Sequence, residues 1–256
     1  LLLVERVLDG RNTLAFIKQL KESFDNIYVI VLTNEVEKSV LVLLHEMGVD
    51  SFITKPASMD TIIEKIAFAI RPQSKLGQIL DQAKEYLARG LAKEALSLSG
   101  KVLSDLKPGS AAALMIQGDA HKALGDFKSA VEAYESAAEN AYMYLEPLKR
   151  ILDFYEEENN EQGMLEYLRK LDKISPNHLE RKLGLGKLLI KRGKAEDAER
   201  HLTAALDLAA QEGAAKVSAV DLEIAEQYLN VDPAVSEQYF RSSIKAARSS
   251  PEALKP

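Results

Sequence analysis

Two hydrophobic rhythms divide the chain. Up to about residue 71, short unbroken apolar runs alternate with helical stripes; from residue 76 onward only helical stripes remain, in pairs with short polar turns between them. In the first region, residues 1–4, 28–32 and the shorter 52–54 are runs of the kind buried on both faces of a parallel sheet. Between them, residues 13–23 (with Leu14, Ile17 and Leu20) and 36–47 (with Val40, Leu43 and Leu44) carry the helical period. Ser58 is placed to cap a third helix, with Asp60 in its first turn and Ile62, Ile63, Ile66 and Ile70 along one side. Strand and helix alternating in this way predict half of a doubly wound α/β domain.

The second region is organised around residues 111–142. Leu114, Gln117, Gly118 and His121 share one stripe, Gly125-Asp126 break it, and Ala130, Tyr134 and Ala137 share the next. Gly118 and Ala130 fall where two antiparallel helices cross, and small side chains there let the backbones approach closely. Phe127 and Tyr134 are expected to fill the space beside them. Such a pair cannot bury its apolar face alone, so copies should flank it. They do, at 76–109 (Ile79, Ala83, Tyr86, then Ala95, Ser99, Val102) and 145–178 (Leu148, Ile151, Leu152, then Met164, Leu168, Leu171). A further copy spans 179–210 (Leu185, Gly186, Leu189, then Ala198, Leu202, Ala205), and a degenerate fifth pair runs through Leu222, Ala225, Tyr228, Ser236, Phe240 and Ser243. In the third copy Asn159-Asn160 replaces the glycine turn, and Leu152 and Met164 replace the small crossing residues, which predicts a wider pair.

The order Gly/Ala, Gly-Asp-Phe, Ala, Tyr, Ala over a period of about 34 residues resembles the tetratricopeptide repeat. The resemblance implies an all-α superhelix over 76–248 that binds a protein partner, joined to the first region by a short linker at 72–75 and followed by a tail at 249–256. Concave faces of such arrays are lined mainly by the first helix of each pair. Equivalent positions put Asp153, Glu156 and Glu157 in the third repeat beside Lys187 and Lys191 in the fourth. Intramolecular pairing between neighbouring helices is one reading of that row; a polarised groove for a peptide or helix of mixed charge is the other.

The first region carries a second resemblance. Glu5 ends an apolar run, Asp9-Gly10 follow in a loop, Thr33 ends the next run, and Gly48-Val49-Asp50-Ser51-Phe52-Ile53-Thr54-Lys55-Pro56 surround the third. This resembles the C-terminal half of a response-regulator receiver domain, which implies a flavodoxin-like α/β half-domain over 1–71 made of that fold's strands 3–5. On that resemblance Glu5 stands at the phospho-acceptor position, where the family has Asp, with Asp9 as a competing acceptor. Thr33 stands at the hydroxyl position, Lys55 at the lysine and Phe52 at the aromatic that moves on activation. The carboxyl ends of parallel strands are where α/β sheets put their ligands. The longer Glu5 side chain is expected to reach Lys55 and mimic the charged state, and Lys55-Pro56 suits a cis peptide. The family's acidic Mg²⁺ pair is not in this sequence, so no cofactor is expected here; Mg²⁺ would require those acids upstream.

The implied function is a two-component or phosphorelay signalling adaptor of a bacterial cytoplasm, with a histidine kinase as a further partner. The alternatives are a Mg²⁺-dependent phospho-accepting regulator with repeat output, and a scaffold of a pilus, secretion or motility assembly. The outer side of the first strand is an apolar edge, which predicts further strands or a second copy across it.

Composition narrows these readings. The 256 residues carry a formal charge of -6 and no sustained basic run, which argues against nucleic acid as a partner. There are no cysteines and four scattered histidines, so no thiol nucleophile or Cys/His metal spacing exists. No apolar run approaches the roughly 18 residues of a membrane span. No nucleophile and base pair or glycine-rich phosphate loop appears, and a non-enzymatic protein is expected.

Overall fold

The computed structural model describes residues 1–8, 11–24, 27–70, 74–105, 110–141 and 144–249. Among these, residues 1–8, 13–36 and 44–159 form one compact unit; residues 11–12, Glu37–Leu43 and the described residues from Asn160 onward form a second. The chain is mostly helical, about 74%, with 13 helices among the described residues.

The first unit holds a parallel sheet. β1 (Leu2–Glu5), β4 (Val29–Thr33) and β5 (Ser51–Thr54) lie in the order β1-β4-β5, with Leu3 opposite Ile30 and Val31 opposite Phe52. Two-residue strands β2 (Val7–Leu8) and β3 (Arg11–Asn12) follow β1. Val29, Ile30 and Val31 in the central strand are fully buried, as is Ile17 of α1 (Leu14–Ser23). β1 is an edge strand of this sheet, with Leu1 and Leu3 exposed along the apolar edge expected there. The hydroxyl of buried Thr13 donates to the carbonyls of Glu5 (2.7 Å) and Arg6 (3.0 Å), pinning the start of α1 to the end of β1.

After α2 (Lys38–Glu46) and β5 comes α3 (Met59–Ala69), whose N-cap is Ser58: its hydroxyl accepts the Thr61 N–H at 3.1 Å. The isoleucine stripe behaves differently from expectation. No residue of α3 is buried, and Ile63 and Ile70 are 56% and 70% exposed. The cap is a local property and forms regardless of context. Burial needs a facing layer, and α3 meets the three-stranded sheet along β5, at its margin.

The helical pairs follow. The first unit continues with α4 (Lys75–Ala88), α5 (Ala92–Asp105), α6 (Ser110–Ala123), α7 (Phe127–Asn140) and α8 (Glu146–Glu157). The second contains α9 (Glu161–Ile174), α10 (Leu179–Lys191), α11 (Ala195–Glu212), α12 (Ala214–Tyr228) and α13 (Pro233–Arg248). Gly125 and Gly193 turn the α6/α7 and α10/α11 hairpins at φ +77° and +69°, the left-handed region glycine enters without strain. At the third turn Asn159 takes that conformation, with φ +52°, and the boundary between the units falls directly after it.

Gly118 is buried against the ring of Tyr134, where a Cβ would lie 2.3 Å from the nearest ring carbon. Gly186 stands in the same relation to Leu202, also at 2.3 Å. Phe127 does not fill its own hairpin as expected. It stacks on Phe154 of α8 with centroids 4.9 Å apart and rings inclined by 24°, joining one pair to the next.

The last pair has a polar seam. Ser236 donates to the Ala225 carbonyl at 2.8 Å, Ser243 to the Ser218 carbonyl at 2.8 Å, and Ser242 to the carboxylate of buried Asp221 at 2.6 Å. Burial pushes the Asp221 carboxyl up from its ordinary range, partly opposed by the Ser242 hydrogen bond. An acid whose folded pKa is raised stabilises the fold below its unfolded pKa and loses that contribution as pH rises through the folded one. Asp221→Asn is therefore expected to raise the melting temperature at pH 7, with the gain shrinking toward pH 4. Melting curves at the two pH values check this; a gain that does not depend on pH would remove the carboxylate as its cause.

Candidate functional site

At the carboxyl ends of the parallel strands the structure brings Glu5 and Lys55 together. Lys55 Nζ lies 2.5 Å from Glu5 Oε1, although the residues are far apart in sequence. Parallel strand order creates the contact, since β1 and β5 flank β4 and all three end on the same side. Both side chains stay partly exposed, 42% for Glu5 and 35% for Lys55, so the pair is worth under about 1 kcal/mol in stability. The Lys55-Pro56 peptide is cis.

Thr33, ending β4, is buried, and its hydroxyl oxygen accepts the Glu35 N–H at 3.0 Å. Phe52 is half-buried and meets the His45 ring edge-on at 5.9 Å. Asp9 lies outside the described residues. A second ion pair went unnoticed in the sequence: Arg6 to Glu35, at 2.6 Å. Its signal was an arginine directly after the strand-end Glu5, with an acid just past Thr33. Glu5, Arg6, Thr33, Glu35 and Lys55 thus form a strand-end cluster in which both cations face acids of the chain itself. Among the described residues, no group of three or more His, Cys, Asp or Glu side chains is placed to hold a metal.

The five residues expected along the repeats fall on two helices, one in each unit. Asp153, Glu156 and Glu157 lie on α8 in the first unit, whereas Lys187 and Lys191 lie on α10 in the second. Glu157 pairs with Lys122 of α6 at 2.9 Å, and Lys191 with Glu161 at 3.0 Å; intramolecular pairing holds for these two. Lys187 is exposed. Burial, and then the neighbouring Asp153 charge, pushes the Glu156 carboxyl up. Beside them Arg150 bonds Glu146 at 3.3 Å and feels the charges of Asp119 and Asp153. The buried Tyr134 hydroxyl donates to Asp119 at 2.7 Å, and its ionisation is pushed far up, first by burial and then by that hydrogen bond.

Residues 111–141, the α6/α7 pair, match the tetratricopeptide repeat family. The chain therefore contains a tetratricopeptide repeat, the helical pair from which protein-interaction arrays are built. Among solved structures, MamA 41-end from Desulfovibrio magneticus RS-1 is similar over 70% of this chain and 98% of its own, at 17% identity and a TM-score of 0.47. The Podosopora anserina putative kinesin light chain with nearly identical TPR-like repeats is similar over 69% and 97%, at 18% identity and a TM-score of 0.48. No curated protein matches the chain. Among the described residues, no helix is long and apolar enough to cross a membrane.

Proposed function

We propose that the chain is a non-enzymatic signalling adaptor. Its helical pairs over 76–248 bind a protein partner, and residues 1–71 are a receiver-like segment of a phosphorelay whose strand-end site is held permanently in a charged-pair state by Glu5. The observation that carries this reading is the 2.5 Å contact between Glu5 and Lys55 at the ends of parallel strands. Glu5 sets its carboxylate on the lysine that would otherwise meet a phosphoryl oxygen. Thr33 supports the same reading, because its buried hydroxyl already accepts the Glu35 N–H.

Incubation with acetyl phosphate and Mg²⁺, followed by intact mass measurement, tests the proposal. The unaltered chain is expected to gain no phosphoryl group. An acid-labile adduct on Asp9 or another acid would overturn the fixed-pair reading in favour of a Mg²⁺-dependent acceptor. A second readout covers the holding role of the pair. Lys55→Met is expected to speed amide exchange at Arg6 and Glu35 about threefold, the factor that an exposed pair of under 1 kcal/mol supplies. Unchanged exchange would leave Glu5 without that role.

A further inference from the structure

At the opposite ends of the same strands, a hollow of about 810 Å³ opens within the first unit. Its volume is in the range of about 300–1,000 Å³ typical of ligand sites. One wall comes from the α/β segment, with Lys21, His45, Glu46 and Asp50; the other comes from the entry to α8, with Tyr144, Glu146 and Lys149. Val49 and Leu145, both buried, add apolar surface between the charges.

Each wall carries an ion pair. On the first wall Lys21 Nζ lies 2.5 Å from Asp50 and also donates to the Ile27 carbonyl at 2.8 Å, while Asp50 accepts the Val29 N–H at 2.7 Å. On the second, Lys149 lies 3.3 Å from Glu146. All four side chains keep between 23% and 40% of their surface exposed. Pairs at that exposure are weak enough to exchange their partners for a ligand's. With Glu46 the lining holds three acids and two lysines, so a ligand of one charge sign meets repulsion as well as attraction. One carrying an ammonium and a carboxylate finds an opposite charge for each.

The geometry points to this hollow as a binding site for a short peptide segment of mixed charge, contacting the α/β segment and the helical pairs at once. It is separate from the Glu5–Lys55 cluster and does not rest on the reading of that cluster. Its occupant would lie against His45, whose ring abuts Phe52 on the strand leading to Lys55.

The test is a titration of the ¹⁵N-labelled chain with the blocked tetrapeptide acetyl-Ala-Lys-Glu-Ala-amide, with blocked tetralysine and tetraglutamate as comparators. The mixed peptide is expected to shift the amides of Gly48, Asp50 and Leu145, and to bind more tightly than either comparator. Lys149→Glu makes the second wall acidic. It is expected to weaken the mixed peptide about tenfold, or about 1.4 kcal/mol, and to strengthen tetralysine. Lys149 is partly exposed, so the variant should keep the parent's circular dichroism; Tyr144→Ser provides an independent loss of contact if it does not. Absence of shifts at millimolar peptide, shifts insensitive to both substitutions, or equal binding of a single-sign peptide would each overturn the site.

Discussion

Gly186→Ala is expected to destabilise the chain, while Gly184→Ala, two residues earlier on the other side of the same helix, stabilises it. Both glycines lie within α10, so alanine should gain up to about 1 kcal/mol of helix propensity at either. The difference is what the new methyl meets. At position 184 it would make an ordinary contact, 3.7 Å from Leu168. At position 186 it would lie 2.3 Å from a methyl and 2.7 Å from the branching carbon of Leu202, which is fully buried and has nowhere to turn. Overpacking of this kind costs about 2–3 kcal/mol, leaving a net loss of about 1–2 kcal/mol once propensity is subtracted. Gly118→Ala should behave like Gly186→Ala, because the obstacle is the rigid, buried ring of Tyr134. Urea unfolding followed by circular dichroism ranks the three variants. If Gly184→Ala and Gly186→Ala moved the midpoint in the same direction, close helix crossing would not be what keeps these glycines small.

Asp172→Ala should cost still more, about 3 kcal/mol. Lys182 Nζ sits 2.8 and 2.9 Å from the two Asp172 oxygens, and the two side chains are only 12% and 15% exposed. Forming such a pair yields little net stability, because both ions are desolvated, but removing one partner strands the other charge where water barely reaches it. The double variant Asp172→Leu with Lys182→Met is therefore expected to recover most of the loss. Thermal unfolding of the two single variants and the double supplies the cycle. If the double variant lost as much as the sum of the singles, the pair would be acting through packing rather than charge.

What could be read in the sequence was mostly local or enforced by parallel strand order. Ser58 caps α3 because a hydroxyl before a helix satisfies its first N–H groups whatever the surroundings. Gly118 and Gly186 declared themselves because an apolar stripe interrupted by a missing side chain has few explanations other than close approach. Glu5 and Lys55 were legible as a pair because strands that end on one side of a sheet bring their ends together. What escaped depends on partners that sequence spacing cannot identify. The α3 isoleucines have the period of a buried face, but period does not say whether a layer lies opposite. Phe127 had the size to fill its own hairpin, yet Phe154 of the following helix offered a flatter contact. Arg181 stands among the charged residues that begin α10, where spacing gives no sign of burial. It is buried, and its guanidinium donates to the Ser175 carbonyl at 2.7 Å just past the end of α9, a cap supplied from the next helix.

The bond from Tyr134 to Asp119 gives the protein its own optical marker. The chain has nine tyrosines and no tryptophan, so its near-ultraviolet signal is a tyrosine signal; Tyr28 alone precedes the helical pairs. With its proton committed to a carboxylate inside the α6/α7 hairpin, Tyr134 stays a neutral phenol under alkaline conditions that ionise its exposed counterparts. Phenolate appears at Tyr134 when the helices part; burial raises Tyr28, Tyr144, Tyr228 and Tyr239 as well, so it is the difference between the chain and its Tyr134→Phe variant that records the opening of this one repeat without any label.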